Sequence, residues 1–258
     1  MACALTFPTP SQSLAGSAAV SSLVSVDRAV RQARLLELML AGHVPDRLRA
    51  LAPVTVDAKD AHGCMRRLVL FVARDYLSVG TNDDAMRVPL DAHAAQLAVD
   101  ALGCVLPTPR MVDLIWRTAQ RLPPQPWGPP YGAPMLSAER ALAHSSRVDA
   151  RIKELGLDPD GLLAGHKKDV VLSNRLQAKP RSVAIYGWHN TDGTVIQPLS
   201  LVHESTYADY SHGVRPVLMQ CTLDDAEHVD LHDVLRDPTL APILSSEGPL
   251  RVFRHPHT

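Results

Sequence analysis

Scarcity sets the first limits on this 258-residue chain. Aromatic residues make up only 4% of it, so a core must come mainly from aliphatic side chains. Cysteine is scarce too. The four are Cys3, Cys64, Cys104 and Cys221, with no CxxC pair among them. That spacing suits neither a zinc ribbon nor a dense disulfide framework. Cys104 and Cys221 sit among apolar neighbours and read as buried structural thiols. An excess of either charge is also missing. With 26 Lys and Arg against 27 Asp and Glu, the formal net charge is -1. No basic field therefore points to nucleic acid or to an anionic membrane. No apolar run reaches the ~18 residues that a membrane helix needs. Neither GxGxxG nor GxxxxGK(S/T) occurs, so nothing supports a nucleotide phosphate loop.

What is present is a globular composition, 46% hydrophobic and 21% charged. The length allows one large domain or two small ones, with a sizeable core. The 21 prolines predict long irregular connections. Residues 1–21 are dominated by Pro, Ser, Ala and Gly and lack the basic start and continuous apolar core of a secretion signal. They predict a disordered tail, and the expected location is the cytoplasm. Residues 22–258 predict a single domain.

Periodicity divides that domain. Apolar residues at helical spacing in "SVDRAVRQARLLELMLAG" predict a helix, with Gly42 at its C-cap. "VTV", "RRLVLFVARDYLSVG" and "MRVPL" read as strands around a "GTNDD" turn. Asp91 caps a helix that Gly103 ends, Thr108 and Pro109 begin another, and Ser137 begins a third. Residues 123–135, "PPQPWGPPYGAPM", cannot be regular structure and read as a linker or a covering loop that carries Trp127 and Tyr131. Beyond it lie strands at "KDVVLSN", "RSVAIYGWH", "VIQPLSLVH" and "GVRPVLMQCTL", then a broken helix. Asp192-Gly193 supplies a hairpin turn. Strands, then helices, then strands predict an α+β fold with a mostly antiparallel sheet and flanking helices.

The segment "LVHESTYADYSHGVRPV" concentrates His203, Asp209 and His212 within ten residues, beside Tyr207, Tyr210, Ser211 and Arg215. Pairing across the Asp-Gly turn is expected to bring His189 to the same sheet end. Three readings compete. Two histidines and a carboxylate can form a zinc set with a position left for water, although no HExxH-type motif occurs. Histidine can run metal-free acid–base chemistry near neutrality. Or the polar groups can simply tie down a loop. A second group, "AGHKKDVV", places Lys167 and Lys168 at a strand start, where alternation lets only one face inward.

The phrases "LPTPRMVD", "GHKKDVV", "IYGWHNTDGTVIQPLS" and "YADYSHGVR" resemble a group of uncharacterised bacterial proteins, over most of residues 30–250. The resemblance implies a common fold and no activity. Locally, "SHGVR" is similar to the Ser-His-Gly-Cys-x-Arg signature of the L,D-transpeptidases, whose cysteine would fall where Val214 stands. That likeness implies a sheet end presenting His, Ser and Arg to an extended peptide or glycan.

The expectation is a hydrolase acting on an amide or related bond of a peptide or cell-wall-like substrate. His203 is its general base, Asp209 orients a histidine, Ser211 or a water is the nucleophile, and His212 is a second acid–base group. His189, Lys168, Arg215 and Tyr207 bind substrate, with Arg215 and Lys168 holding a carboxylate. No cofactor or metal ligand is assigned, zinc being the one candidate. The expected partner is a peptide, glycan or related small molecule, not nucleic acid or a membrane. The rival class is a non-catalytic peptide- or glycan-binding protein.

Overall fold

A computed structural model describes residues 4–256. Its largest sheet grows from one long hairpin. Leu51–Lys59 and Met65–Ala73 pair antiparallel without a break, Leu51 opposite Ala73 and Lys59 opposite Met65. Alternation sends Val54, Val56, Leu68, Leu70 and Val72 into the core. Asp60 shapes the turn by accepting the His62 and Cys64 amides. The Met65–Ala73 strand then carries Gln220–Leu223 and Val217–Leu218 on its other edge, and these extend to Ala226–Asp230 and Cys104–Val105. All these pairings are antiparallel.

A second sheet places Val195–Ser200, Ile185–His189, Lys168–Val170 and His212–Gly213 side by side. Its last pair is parallel, with His212 opposite Lys168. Helices flank the sheets, and the four longest begin where a short polar side chain satisfies a free amide. Asp27 starts Arg28–Leu40, Asp91 starts Ala92–Ala101, Thr108 starts Pro109–Thr118, and Ser137 starts Ala138–Glu154. The fold is therefore α+β, with mostly antiparallel sheets. No helix among the described residues is long and apolar enough to cross a membrane.

Three expectations need correction. Residues 1–21 are not a loose tail where they are described. Leu5 and Phe7 are buried in the main core, and Gly16–Ser21 is a helix. Arg49 holds the segment by donating to the Phe7, Pro8 and Gly42 carbonyls. Gly42, at φ +89, lets that backbone approach, because a Cβ there would lie 1.9 Å from the Pro8 oxygen. Small residues that read as flexible instead permit close contact. Residues 1–3 lie outside the described residues.

The run "RRLVLFVARDYLSVG" is not one strand. It ends at Ala73 and resumes as Ser78–Gly80, because Asp75 turns inward to a buried ion network. The hairpin register also differs from expectation. His189 pairs with Val195, and Ser200 with Ile185. Strands that close on a turn at 192–193 leave His203 opposite Val183, whose amide donates to its carbonyl at 3.0 Å. His189 and His203 therefore lie at opposite ends of the hairpin.

Candidate functional site

The chain folds from Glu204 to His212 as consecutive turns, closed by Tyr207 N–H to the Glu204 carbonyl and His212 N–H to the Asp209 carbonyl. Asp209 organises them. Its Oδ1 accepts the Ser211 amide at 2.8 Å and the Ser211 hydroxyl, and its Oδ2 accepts the Tyr207 hydroxyl at 3.2 Å. Lys168 Nζ stands 3.6 Å from the same Oδ2. Lys168 reaches it because its strand is pinned beside the turn, its amide donating to the Ser211 carbonyl at 2.7 Å. Burial alone would raise the Asp209 carboxyl. The His212 ring, Lys168 and the Ser211 donors outweigh it and hold it down at about 2.

The aromatic surroundings are ordered. The His203 ring stacks on Tyr207, centroids 3.9 Å apart and nearly parallel. Tyr207 meets the His212 ring edge-on at 5.6 Å. Lys168 Nζ lies 4.9 Å over the Trp188 ring, a cation–π contact. Trp188 itself sits at φ 59, a left-handed conformation that a bulky residue adopts only when its surroundings impose it. Here Trp188 N–H reaches the Lys167 carbonyl and its indole N–H reaches the His166 carbonyl. His203, Tyr207 and Lys168 are half-buried, while Asp209, Ser211 and His212 are buried.

Four sequence-expected residues thus assemble around Asp209: Lys168, Tyr207, Ser211 and His212. His203 joins through its Tyr207 stack. His212 is fully buried, and neither ring nitrogen has a hydrogen-bond partner among the described residues. Burial pushes its pKa down to about 4, so it is neutral at pH 7. Ser211 is fully buried with its hydroxyl committed to Asp209, a poor position for a nucleophile.

Two residues leave the group. His189 Nε2 pairs with Asp113 Oδ1 at 2.9 Å, the same oxygen that accepts the Tyr186 hydroxyl, and its ring stacks on Trp116. The short reach of the hairpin places it there. Arg215 does not bind substrate through a free guanidinium. It is fully buried, and its terminal nitrogens donate to the Ala73 and Leu163 carbonyls, each at 2.6 Å.

Behind the site lies a buried polar layer that the sequence reading largely missed. Lys167 faces inward, fully buried, donating to the Tyr210 carbonyl at 2.6 Å. Burial, then the Arg87 charge, pushes its pKa down to about 7. His144, on the Ala138–Glu154 helix, packs its ring 4.9 Å from Tyr210. Tyr76 donates to Asp169 at 2.8 Å, and burial pushes that carboxyl up to about 6. Asp75 receives His166 and Arg87. The signal that could have found this layer was polar residues inside an apolar run, at Asp75 and Tyr76, and a histidine on the apolar stripe of Ala141, His144, Val148 and Ile152.

The proline-rich loop lies against the same layer. The Trp127 amide donates to the Tyr210 hydroxyl at 2.7 Å, and the Trp127 ring holds Arg147 at 3.6 Å. Tyr131 turns outward, 68% exposed. Among the described residues no three His, Cys, Asp or Glu side chains are grouped to hold a metal ion. The chain matches no protein-family model, no curated protein and no solved structure.

Proposed function

We propose that the chain is a hydrolase that cleaves an amide or related bond in a peptide or cell-wall-like substrate at this sheet end. One observation carries the reading: half-buried His203, Tyr207 and Lys168 gather around a buried, ionised Asp209. Strongly perturbed titratable groups concentrate at functional sites. In this reading a water is the nucleophile, because the Ser211 hydroxyl is committed to Asp209. His203 takes the water proton as oxygen attacks the carbonyl carbon. The tetrahedral adduct then expels the amine, which receives that proton from His203. Lys168 stabilises the developing oxyanion, or holds a neighbouring substrate carboxylate. Asp209 is a positioning residue, fixing Lys168 and the Tyr207 hydroxyl.

A non-catalytic peptide- or glycan-binding role is the second reading. Buried Ser211 and buried Val214, where the transpeptidase signature has cysteine, favour it. The test is hydrolysis of a panel of short peptides and peptidoglycan-type stem peptides by the full chain. His203→Ala is expected to lower kcat about 100-fold. Lys168→Met is expected to raise KM or lower kcat without unfolding the protein. Hydrolysis unchanged in both variants would remove the site from consideration. Saturable binding with every ligand recovered intact would select the binding role.

A further inference from the structure

A separate cavity of about 500 Å³ lies between the end of the Ala138–Glu154 helix and the turn after Ser78–Gly80. Arg47, Asn82, Asp83, Arg87, Asp149 and Lys153 line it. Its volume falls in the range of small-molecule sites.

Arg47 is the informative residue. Its side chain is only 8% exposed, yet its Nε has no hydrogen-bond partner among the described residues. The nearest carboxylate, Asp75, stands 3.8 Å away, beyond hydrogen-bond reach. Asp75 is already saturated. Its Oδ2 takes Arg87 Nε and Nη2 at 2.8 and 2.7 Å, and its Oδ1 takes the Tyr76 amide and His166 at 2.7 and 3.1 Å. Nε is one of the five donors of the planar guanidinium fork, and leaving it unmet in a buried place is costly. Burial accordingly pulls Arg47 below its ordinary pKa.

The other charges narrow the ligand. Arg87 is neutralised by Asp75 and also donates to Asp149 Oδ1 at 2.6 Å. Arg47 and Lys153 then remain on the lining against Asp83 and Asp149. A dianion would meet two carboxylates, and a simple amine would meet two cations. A net-neutral dipole meets neither penalty.

We propose that this cavity binds a small zwitterion of the amino-acid type. Its carboxylate would occupy the Arg47 fork with Lys153 nearby, and its ammonium would lie toward Asp149 and Asp83. The site is independent of the hydrolytic reading above.

Titration calorimetry on the full chain tests this, using free L-alanine, L-leucine and L-glutamate, with succinate, ethanolamine and inorganic phosphate as single-charge-type probes. At least one amino acid is expected to bind saturably, at least tenfold tighter than any of the three others. Arg47→Lys keeps the charge but loses the fork and is expected to weaken binding at least tenfold. Lys153→Ala, on the exposed rim, should weaken it several-fold with an unchanged melting curve. Three results would overturn the proposal: no saturable binding of any amino acid, phosphate or succinate binding as tightly, or amino-acid binding unchanged in both variants.

Discussion

Arg215 has no route to solvent, so groups inside the protein must meet its charge, among them the buried Asp169 carboxyl. Two carbonyls also do so, one at the end of the Met65–Ala73 strand and one in the short Leu163–Ala164 strand, and the Tyr76 ring lies 4.3 Å from the guanidinium carbon. The residue therefore joins two parts of the chain. Gly213 belongs to the same packing, because a Cβ there would sit 2.5 Å from the Tyr76 ring. Arg215→Met keeps the volume but leaves both carbonyls without donors. It is expected to destabilise the protein by about 3 kcal/mol, since hydrogen bonds to charged groups contribute roughly 1.5–3 kcal/mol each. Urea unfolding of the variant measures this. A loss below about 1 kcal/mol would return Arg215 to consideration as a substrate-facing group.

At the scale of elements, the N-terminal segment makes the sharpest prediction. Leu5, Phe7, Ala19, Val20 and Leu23 are buried with the main core. Removing residues 4–21 deletes most of these and uncovers their neighbours. Full burial of one Phe or Leu is worth roughly 1.5–3 kcal/mol, partly offset by the chain entropy released. The truncated protein is expected to lose about 3 kcal/mol, a fall of about 10 °C in Tm for a chain of this size. An unchanged Tm in differential scanning calorimetry would show the segment to be dispensable. The sequence missed this segment for a physical reason: composition reports flexibility, while the close approach of Gly42 to Pro8 depends on where the chain goes. Helix starts were legible because a cap acts within a few residues, as at Asp91, Thr108 and Ser137. The site was legible in part on the same ground. Asp209, Ser211 and His212 meet through local turns, and Lys168 was picked out as a strand-start cation. His189 was misplaced by its register. Asp75, Tyr76 and His144 join only through contacts distant in sequence.

The molecule as a whole is nearly neutral, but its interior binds protons less readily than its unfolded chain. Burial pushes His166, His212 and His255 each down to about 4. An unfolded histidine titrates near 6.5. Between those values the unfolded state holds more protons, so the stability tied to these histidines is full above about 6.5 and is lost as pH falls toward about 4. One imidazole with such a gap accounts for roughly 3 kcal/mol. Asp169 acts the other way. Burial raises it to about 6, so the folded state gains a proton first and the loss is partly offset. These three histidines, with buried His144 also pushed down, outnumber the one raised carboxyl and leave a net acid sensitivity. Around His212 the charged neighbours are Asp209, Lys168, Lys167 and His203. Asp209, held at about 2, stays ionised in the folded protein through this window, and its own contribution is lost mainly below about pH 4, where the unfolded carboxyl titrates. Urea midpoints are therefore expected to fall steadily from pH 6.5 to 4. His212→Gln, which cannot take up the proton, should flatten that slope by about one proton, so that it costs more stability at pH 7 than at pH 4. A midpoint independent of pH across this window would mean that the imidazoles reach solvent in the folded protein. The buried polar layer behind Lys168 would then be hydrated rather than closed.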